Sequence, residues 1–412
     1  MITVVALGGS GEDSRNCFLV EAQGHRILLD CGVRREIAPN ERVYPLVTKD
    51  IAVSLEAVFL SHAHEDHSAG LPYLWELGYR GPIYASKPTI GLVKGFLRKW
   101  VSYVESNGAI PPFSPKNMDL LDFRPIEKGT TDFDGFRVLA GRSGHSLGSF
   151  WYRFSFNAKT LLYTGDLCMD SLLLEFDSLP TCDVLIVDSA YASRVLHQEK
   201  QYEKLVECIR NATEKGGAVL LPVPSNGRGV DIFLYLLSQN MELVVEDAIV
   251  QCAEALGHEK AWIRDSSLWR MQPLYEVVSD GNRSQVMKHL AGKVVLTPDG
   301  MLTSPIAQSY AKAMEKDCYG LVLITGHVAK GTRGFQLLDS AFRKEKGILT
   351  DCRALTVKVH PDRQDVETLA ARTGCRDVML FHAPAEDCGN LKVALGKKGL
   401  KVVCSVSTCL SF

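Results

Sequence analysis

Ala57-Val58-Phe59-Leu60-Ser61-His62-Ala63-His64-Glu65-Asp66-His67 decides how this chain of 412 residues is read. Four apolar residues make a short run typical of a strand covered on both faces. The run leads into three histidines and two acids within positions 62–67. So many ionisable groups beside a buried strand end are costly to fold unless a metal ion pairs them. On an extended or looping segment His62 and His64 project to one side, and Asp66 and His67 turn toward a neighbouring point. That geometry suits two metal ions sharing one pocket better than a polar surface loop. A hydrolytic zinc keeps one of its four positions for water, so two ions need further ligands. Gly144-His145-Ser146-Leu147-Gly148-Ser149 offers a histidine between glycines, ahead of an aromatic strand. Tyr163-Thr164-Gly165-Asp166 offers an acid at a strand end.

Around these strings the chain has the make-up of an ordinary globule, with 46% apolar and 23% charged residues, 34 Gly and 17 Pro. This excludes a disordered chain, a collagen-like repeat and a coiled coil. No apolar run approaches the roughly 18 residues of a membrane span, and residues 1–7 carry no basic leader. The 12 cysteines are scattered with no Cys-x-x-Cys pair. They read as free thiols in a reducing cytoplasm. A net charge of −2 gives no reason of its own to expect a nucleic-acid partner.

Short apolar runs separated by turn signals predict strands over 2–7, 16–21, 26–29, 57–60, 82–85, 136–140, 149–156, 160–164 and 184–187, with a helix over 71–77. This is a sheet-rich α/β sandwich. From about residue 195 strands and helices alternate: helices over 198–214, 229–239 and 305–315, strands over 218–223, 294–297 and 321–325. That pattern predicts a parallel α/β unit. Short strands return over 355–359, 378–381 and 401–404. The second domain therefore reads as inserted into the first, giving segments 1–195, 196–348 and 349–412.

The H-x-H-x-D-H string, the Gly-His-x-x-Gly-Ser string and Asp166, in that order, resemble the metallo-β-lactamase superfamily. The resemblance implies a four-layer αβ/βα sandwich with metals at its edge. Val187-Asp188-Ser189-Ala190-Tyr191 is similar to motif A of the β-CASP branch, the RNA and DNA nucleases of that superfamily. Residues 216–228, Asp299-Gly300-Met301-Leu302 and 326–334 resemble its inserted α/β cap. His360-Pro361-Asp362 is similar to motif B and Phe381-His382 to motif C. The separation of 22 positions from His360 to His382 matches the RNA-cleaving members, which include ribonuclease J and the endonuclease of cleavage and polyadenylation. The chain departs from the family's usual strings. Lys358 stands where a serine often touches phosphate, Ala383-Pro384 replaces a common Gly-Glu, and Ala190 replaces a common Thr. Lys330-Gly331-Thr332 lacks the order of a nucleotide-binding P-loop. No further domain is expected before or after these motifs.

The resemblance implies one metal on His62, His64 and His145, a second on Asp66, His67 and His382, and Asp166 between them. The ions implied are two Zn2+, with Mn2+ as the alternative. Asp66, Asp188 and His360 are the implied catalytic residues, with Asp188 orienting His360 toward the scissile phosphate or leaving group. Asp30 is expected to brace the ligand loop. Residues 196–345 hold 17 Lys plus Arg against 18 Asp plus Glu, so the cap is not a basic domain. Substrate contacts are therefore expected to be local, at Arg228, Lys330, Thr332, Arg333 and Lys358. The expectation is a zinc-dependent ribonuclease acting on single-stranded RNA in the cytoplasm, with no membrane partner and with a homodimer allowed. The competing readings are a DNA nuclease, a small-molecule ester or thioester hydrolase of the same fold, and a non-catalytic RNA-processing subunit.

Overall fold

The computed structural model describes residues 1–34, 42–264 and 275–411. The chain forms two compact units. The first comprises Met1–Met169, Glu175–Val195 and His360–Phe412, and the second Asp170–Leu174 with Leu196–Val359.

Two seven-stranded sheets build the first unit. One runs Cys409–Ser411, Ile2–Gly8, Cys17–Ala22, His25–Leu29, Ala57–Phe59, Ile83–Ala85, Phe123–Pro125. Its pairings are antiparallel up to His25–Leu29 and parallel beyond. The other runs Lys401–Val403, Asp377–Phe381, Val184–Asp188, Lys159–Tyr163, Phe150–Phe156, Phe136–Arg142, Gly129–Phe133. Its first four strands are parallel and the rest antiparallel. Phe18 meets Tyr163 and Phe381 at ring distances of 5.6 and 5.4 Å, and Phe59 meets Phe154 at 5.0 Å. These aromatic pairs lock sheet to sheet, each worth about 1 kcal/mol beyond the area it buries.

Each sheet carries helices on its outer face. Leu19, Leu28 and Val58 pack with Leu97, Trp100 and Val101 of the helix Lys87–Ser106. Leu162, Leu185, Val378 and Leu380 pack with Val366 and Leu369 of Arg363–Thr373 and with Leu391 and Leu395 of Gly389–Lys397. The order is helix, sheet, sheet, helix, which is the expected sandwich. Val184–Asp188 is buried at every residue because both of its faces are covered.

The second unit has one six-stranded sheet, in the order Tyr275–Val278, Leu243–Glu246, Val294–Pro298, Val219–Val223, Leu321–Ile324, Asp351–Ala354. Every pairing is parallel, as the strand–helix alternation requires. The strand expected over 355–359 is not formed; the strand is Asp351–Ala354, four residues earlier. It forms the edge of this sheet against Leu321–Ile324. Residues 349–359 therefore belong to the second unit, which corrects the expected boundary at 349. Among the described residues no helix is long and apolar enough to cross a membrane.

Candidate metal centre

Strand ends of the first unit deliver the chemistry. Ala57–Phe59 runs out at His62, and His64 begins the short helix Glu65–Ser68 that carries Asp66 and His67. Ser68 Oγ pins this turn by donating to Ala63 O at 2.8 Å. His145 lies between Phe136–Arg142 and Phe150–Phe156. Asp166 follows Lys159–Tyr163, and Gly165 at φ +52° lets the chain pass, since a Cβ there would stand 2.6 Å from Ser61 Cβ. Asp188 ends Val184–Asp188, and His382 follows Asp377–Phe381.

Three overlapping groups of donor atoms result, each with its atoms within 4.8 Å of one another: His62, His64, His145 and Asp166; Asp66, His67, Asp166 and His382; and Asp166, Asp188, His360 and His382. His64 Nδ1 lies 3.0 Å from His62 Nε2 and 3.3 Å from His145 Nε2. His382 Nε2 lies 3.0 Å from Asp66 Oδ2. Asp166 stands between the first two groups, with Oδ2 3.6 Å from His62 Nε2 and 3.7 Å from His382 Nε2. Asp166 Oδ1 is 3.0 Å from His67 Nε2, yet the angle makes no hydrogen bond and the oxygen is buried without a partner among the described residues. His382 Nδ1 is likewise buried and unpartnered among them.

The electrostatics point the same way. Burial favours a neutral Asp166, but His382, His67 and His145 outweigh it and hold its carboxyl well below the usual range. Asp66 is depressed against its burial by His67 and His382. His382 is pushed up to about 9: burial opposes the charge, while Asp166 and Asp66 favour it more strongly. His67 rises against burial through Asp166, Asp30 and Asp66. His62, in contrast, is lowered by burial and by its histidine neighbours. Carboxylates that draw protons onto imidazoles draw a cation as well. Convergent nitrogens, ionised acids and an orphaned carboxylate oxygen fit a divalent metal.

Asp188 Oδ2 lies 2.8 Å from His360 Nδ1 and accepts from Leu167 N at 3.1 Å. His360 Nδ1 is 3.9 Å from Asp166 Oδ2, and its ring stacks on His382 at 4.9 Å. The edge of Tyr191 meets His360 at 5.7 Å. Asp30 lies with its carboxylate 2.6 Å from His67 Nδ1. Reading the sequence misses Ser61 and Tyr163, which also hold Asp30, and Asn16, whose Nδ2 sits 2.8 Å from His67 Nε2. Only their neighbourhood to quoted strings could have flagged the first two; a lone Asn before a strand carries no signal.

The expected substrate contacts all belong to the second unit, where most have local partners. Thr332 caps Arg333–Leu338 and donates to Ala329 O. Arg333 pairs with Glu315 at 2.9 Å and lies over Phe342. The Arg228 guanidinium fills the space beside Gly326, where a Cβ would stand 2.2 Å from Nη2. Lys358 is 4% exposed, and its Nζ is 2.6 Å from Asp170. Lys330 is exposed.

A family model for the metallo-β-lactamase superfamily matches residues 10–192. The transcription termination factor FttA of Cenarchaeum symbiosum is 27% identical over 96% of this chain and 68% of its own length. The endoribonuclease YSH1 of Candida glabrata is 27% identical over 95% of this chain, which spans only 56% of that relative. The probable RNase MJ4 of Methanocaldococcus jannaschii is 26% identical over 82% of each chain. A solved structure from Enterococcus faecalis V583, a protein of unknown function, shares the fold over both whole chains with a TM-score of 0.61 at 15% identity. With the sandwich, the ordered histidine and aspartate strings and these relatives in agreement, residues 10–192 form a metallo-β-lactamase domain, and the chain as a whole is similar to the β-CASP ribonucleases of that superfamily.

Proposed function

We propose that this protein is a metal-dependent ribonuclease that hydrolyses phosphodiester bonds of single-stranded RNA. The observation that carries the reading is the Asp188–His360 pair set against the bridging position of Asp166. His62, His64 and His145 would hold one cation, Asp66, His67 and His382 the other, and Asp166 both. Two ions of this kind, Zn2+ or Mn2+, would supply Lewis acidity, lowering the pKa of a bound water and offsetting charge on the phosphate. The side chains do the rest. Asp188 accepts a hydrogen bond from Nδ1–H of His360, which fixes the ring's orientation and leaves Nε2 for substrate. When His360 is an imidazolium, Nε2–H can donate to the scissile phosphate or pass its proton to the leaving oxygen, which returns the ring to the neutral Nδ1–H form. Asp30 keeps His67 turned so that Nε2 faces the centre. The names of YSH1 and MJ4 support RNA as substrate, and free cysteines suit a reducing cytoplasm.

End-labelled single-stranded RNA and DNA should be incubated with metal-loaded protein, with and without chelator. RNA should be cut, and the cutting should stop when the metal is removed. Preferential cleavage of DNA, or thioester turnover with intact RNA, would overturn the reading. Varying the 5′ end between phosphate and triphosphate would separate endonuclease from 5′ exonuclease action.

A further inference from the structure

Asn16 sits inside the metal centre, and none of the roles above accounts for it. It is fully buried, immediately before strand Cys17–Ala22. Its N–H donates to Asp66 O and its carbonyl accepts from Gly32 N, both at 2.9 Å, so the ligand loop fixes its backbone. The side-chain Nδ2 ends 2.8 Å from His67 Nε2. That is the nitrogen available to a cation, because Asp30 occupies His67 Nδ1 at 2.6 Å. The other amide atom, Oδ1, is buried without a hydrogen-bond partner among the described residues. A Cβ on Gly9 would stand 2.4 Å from that oxygen, and Gly9 has φ +84°. A bare glycine is what admits the amide there.

Buried side-chain amides usually satisfy their oxygen. Once His67 Nε2 holds a cation, its lone pair no longer accepts from Nδ2–H. A half-turn about χ2 then exchanges the two amide atoms in nearly the same space and presents oxygen instead. We infer that Asn16 is an additional neutral oxygen ligand for the cation held by Asp66, His67, Asp166 and His382, and that it biases this position toward a hard ion such as Mn2+. The position without it, on His62, His64 and His145, is richer in nitrogen and suits zinc. The inference rests on the metal-dependent reading above.

The whole chain, stripped of metal, would be titrated with Zn2+ and separately with Mn2+ against a chromophoric chelator. Wild type should show two sites. Asn16→Ala should weaken one site for Mn2+ about 10- to 100-fold, with a smaller loss for Zn2+ and no change at the other site. Asn16→Asp keeps the shape and adds charge, so it should tighten Mn2+ at the same site. Unchanged Mn2+ binding in either variant overturns the inference, as does an equal loss for both ions at both sites, which marks a merely structural role. If Asn16→Ala does not fold, the Asn16→Asp titration decides alone. Wild-type protein that binds no divalent ion removes the metal reading itself, before any variant is compared.

Discussion

Asp30 takes four hydrogen bonds while fully buried: from Ser61 N, Ser61 Oγ and His67 Nδ1, each at 2.6 Å, and from Tyr163 OH at 2.5 Å. Burial and Asp30 raise the Tyr163 phenol, so it stays protonated and donates. Asp30 also holds a left-handed φ of +56°, and His382 one of +67°. Such conformations cost of order 1–3 kcal/mol each and persist where their surroundings fix them. Asp30→Asn replaces one acceptor oxygen with an NH2 group facing donors. It should destabilise the fold by roughly 3 kcal/mol and weaken the metal site holding His67 about 10- to 100-fold. Urea unfolding and chelator competition measure the two effects, and wild-type values for both would refute the brace. Asp30 is readable from sequence as a strand-end acid. Its partners Ser61 and Tyr163 are not, and neither is Asn16 beside His67, because these are common residue types whose role exists only once the fold brings them together.

The helix Lys87–Ser106 shows how an element remote from the metal strings shapes them. Ser86 caps it by accepting from Thr89 N at 3.2 Å. Ser86 Oγ and Thr89 Oγ1 also donate to Gly148 O at 2.7 and 2.8 Å. The cap thereby clasps the loop that carries His145, while Phe96 of the same helix packs on His64 at 5.4 Å. Ser86→Ala removes the cap and one of the two clasps. It should cost about 1–2 kcal/mol and release metal from the His62, His64 and His145 site severalfold faster. Thermal melts and metal-release kinetics test this; a loss of stability without faster release would separate cap from clasp. The sequence hides this helix because Pro88, Gly91 and Gly95 interrupt its pattern, although Val93, Leu97, Trp100, Val101 and Val104 keep a helical buried face. The strands that the sequence does signal are legible to within a residue or two, since their apolar runs are short and sharply bounded by turn residues. Phe123–Pro125, Gly129–Phe133, Leu243–Glu246, Tyr275–Val278 and Cys409–Ser411 are not among them, and Asp351–Ala354 is displaced. Its residues Cys352, Arg353 and Ala354 look less strand-like than the 355–359 run, and edge pairing with Leu321–Ile324 decides the matter.

Across the whole molecule, 46 basic residues face 48 acidic ones, and many cations are committed to neighbours. Arg333 pairs with Glu315, Arg343 with Asp351, Arg283 with Glu246 and Lys358 with Asp170. A paired cation releases few counterions on meeting RNA, because its charge is already offset. Affinity for single-stranded RNA should then come from the metal centre and a few local contacts. Each phosphate neutralised contributes a slope of about −0.7 to the logarithm of affinity against the logarithm of salt. A grip on about three phosphates gives a slope near −2, and a broad basic track would give one steeper than about −4. Filter binding of a long unstructured RNA between low and moderate salt, using Asp188→Asn protein to prevent turnover, distinguishes the two. A shallow slope places recognition at the metal-centred site. A steep one means that the charge balance conceals a segregated basic face, and that Lys330, the exposed member of the expected contacts, belongs to it.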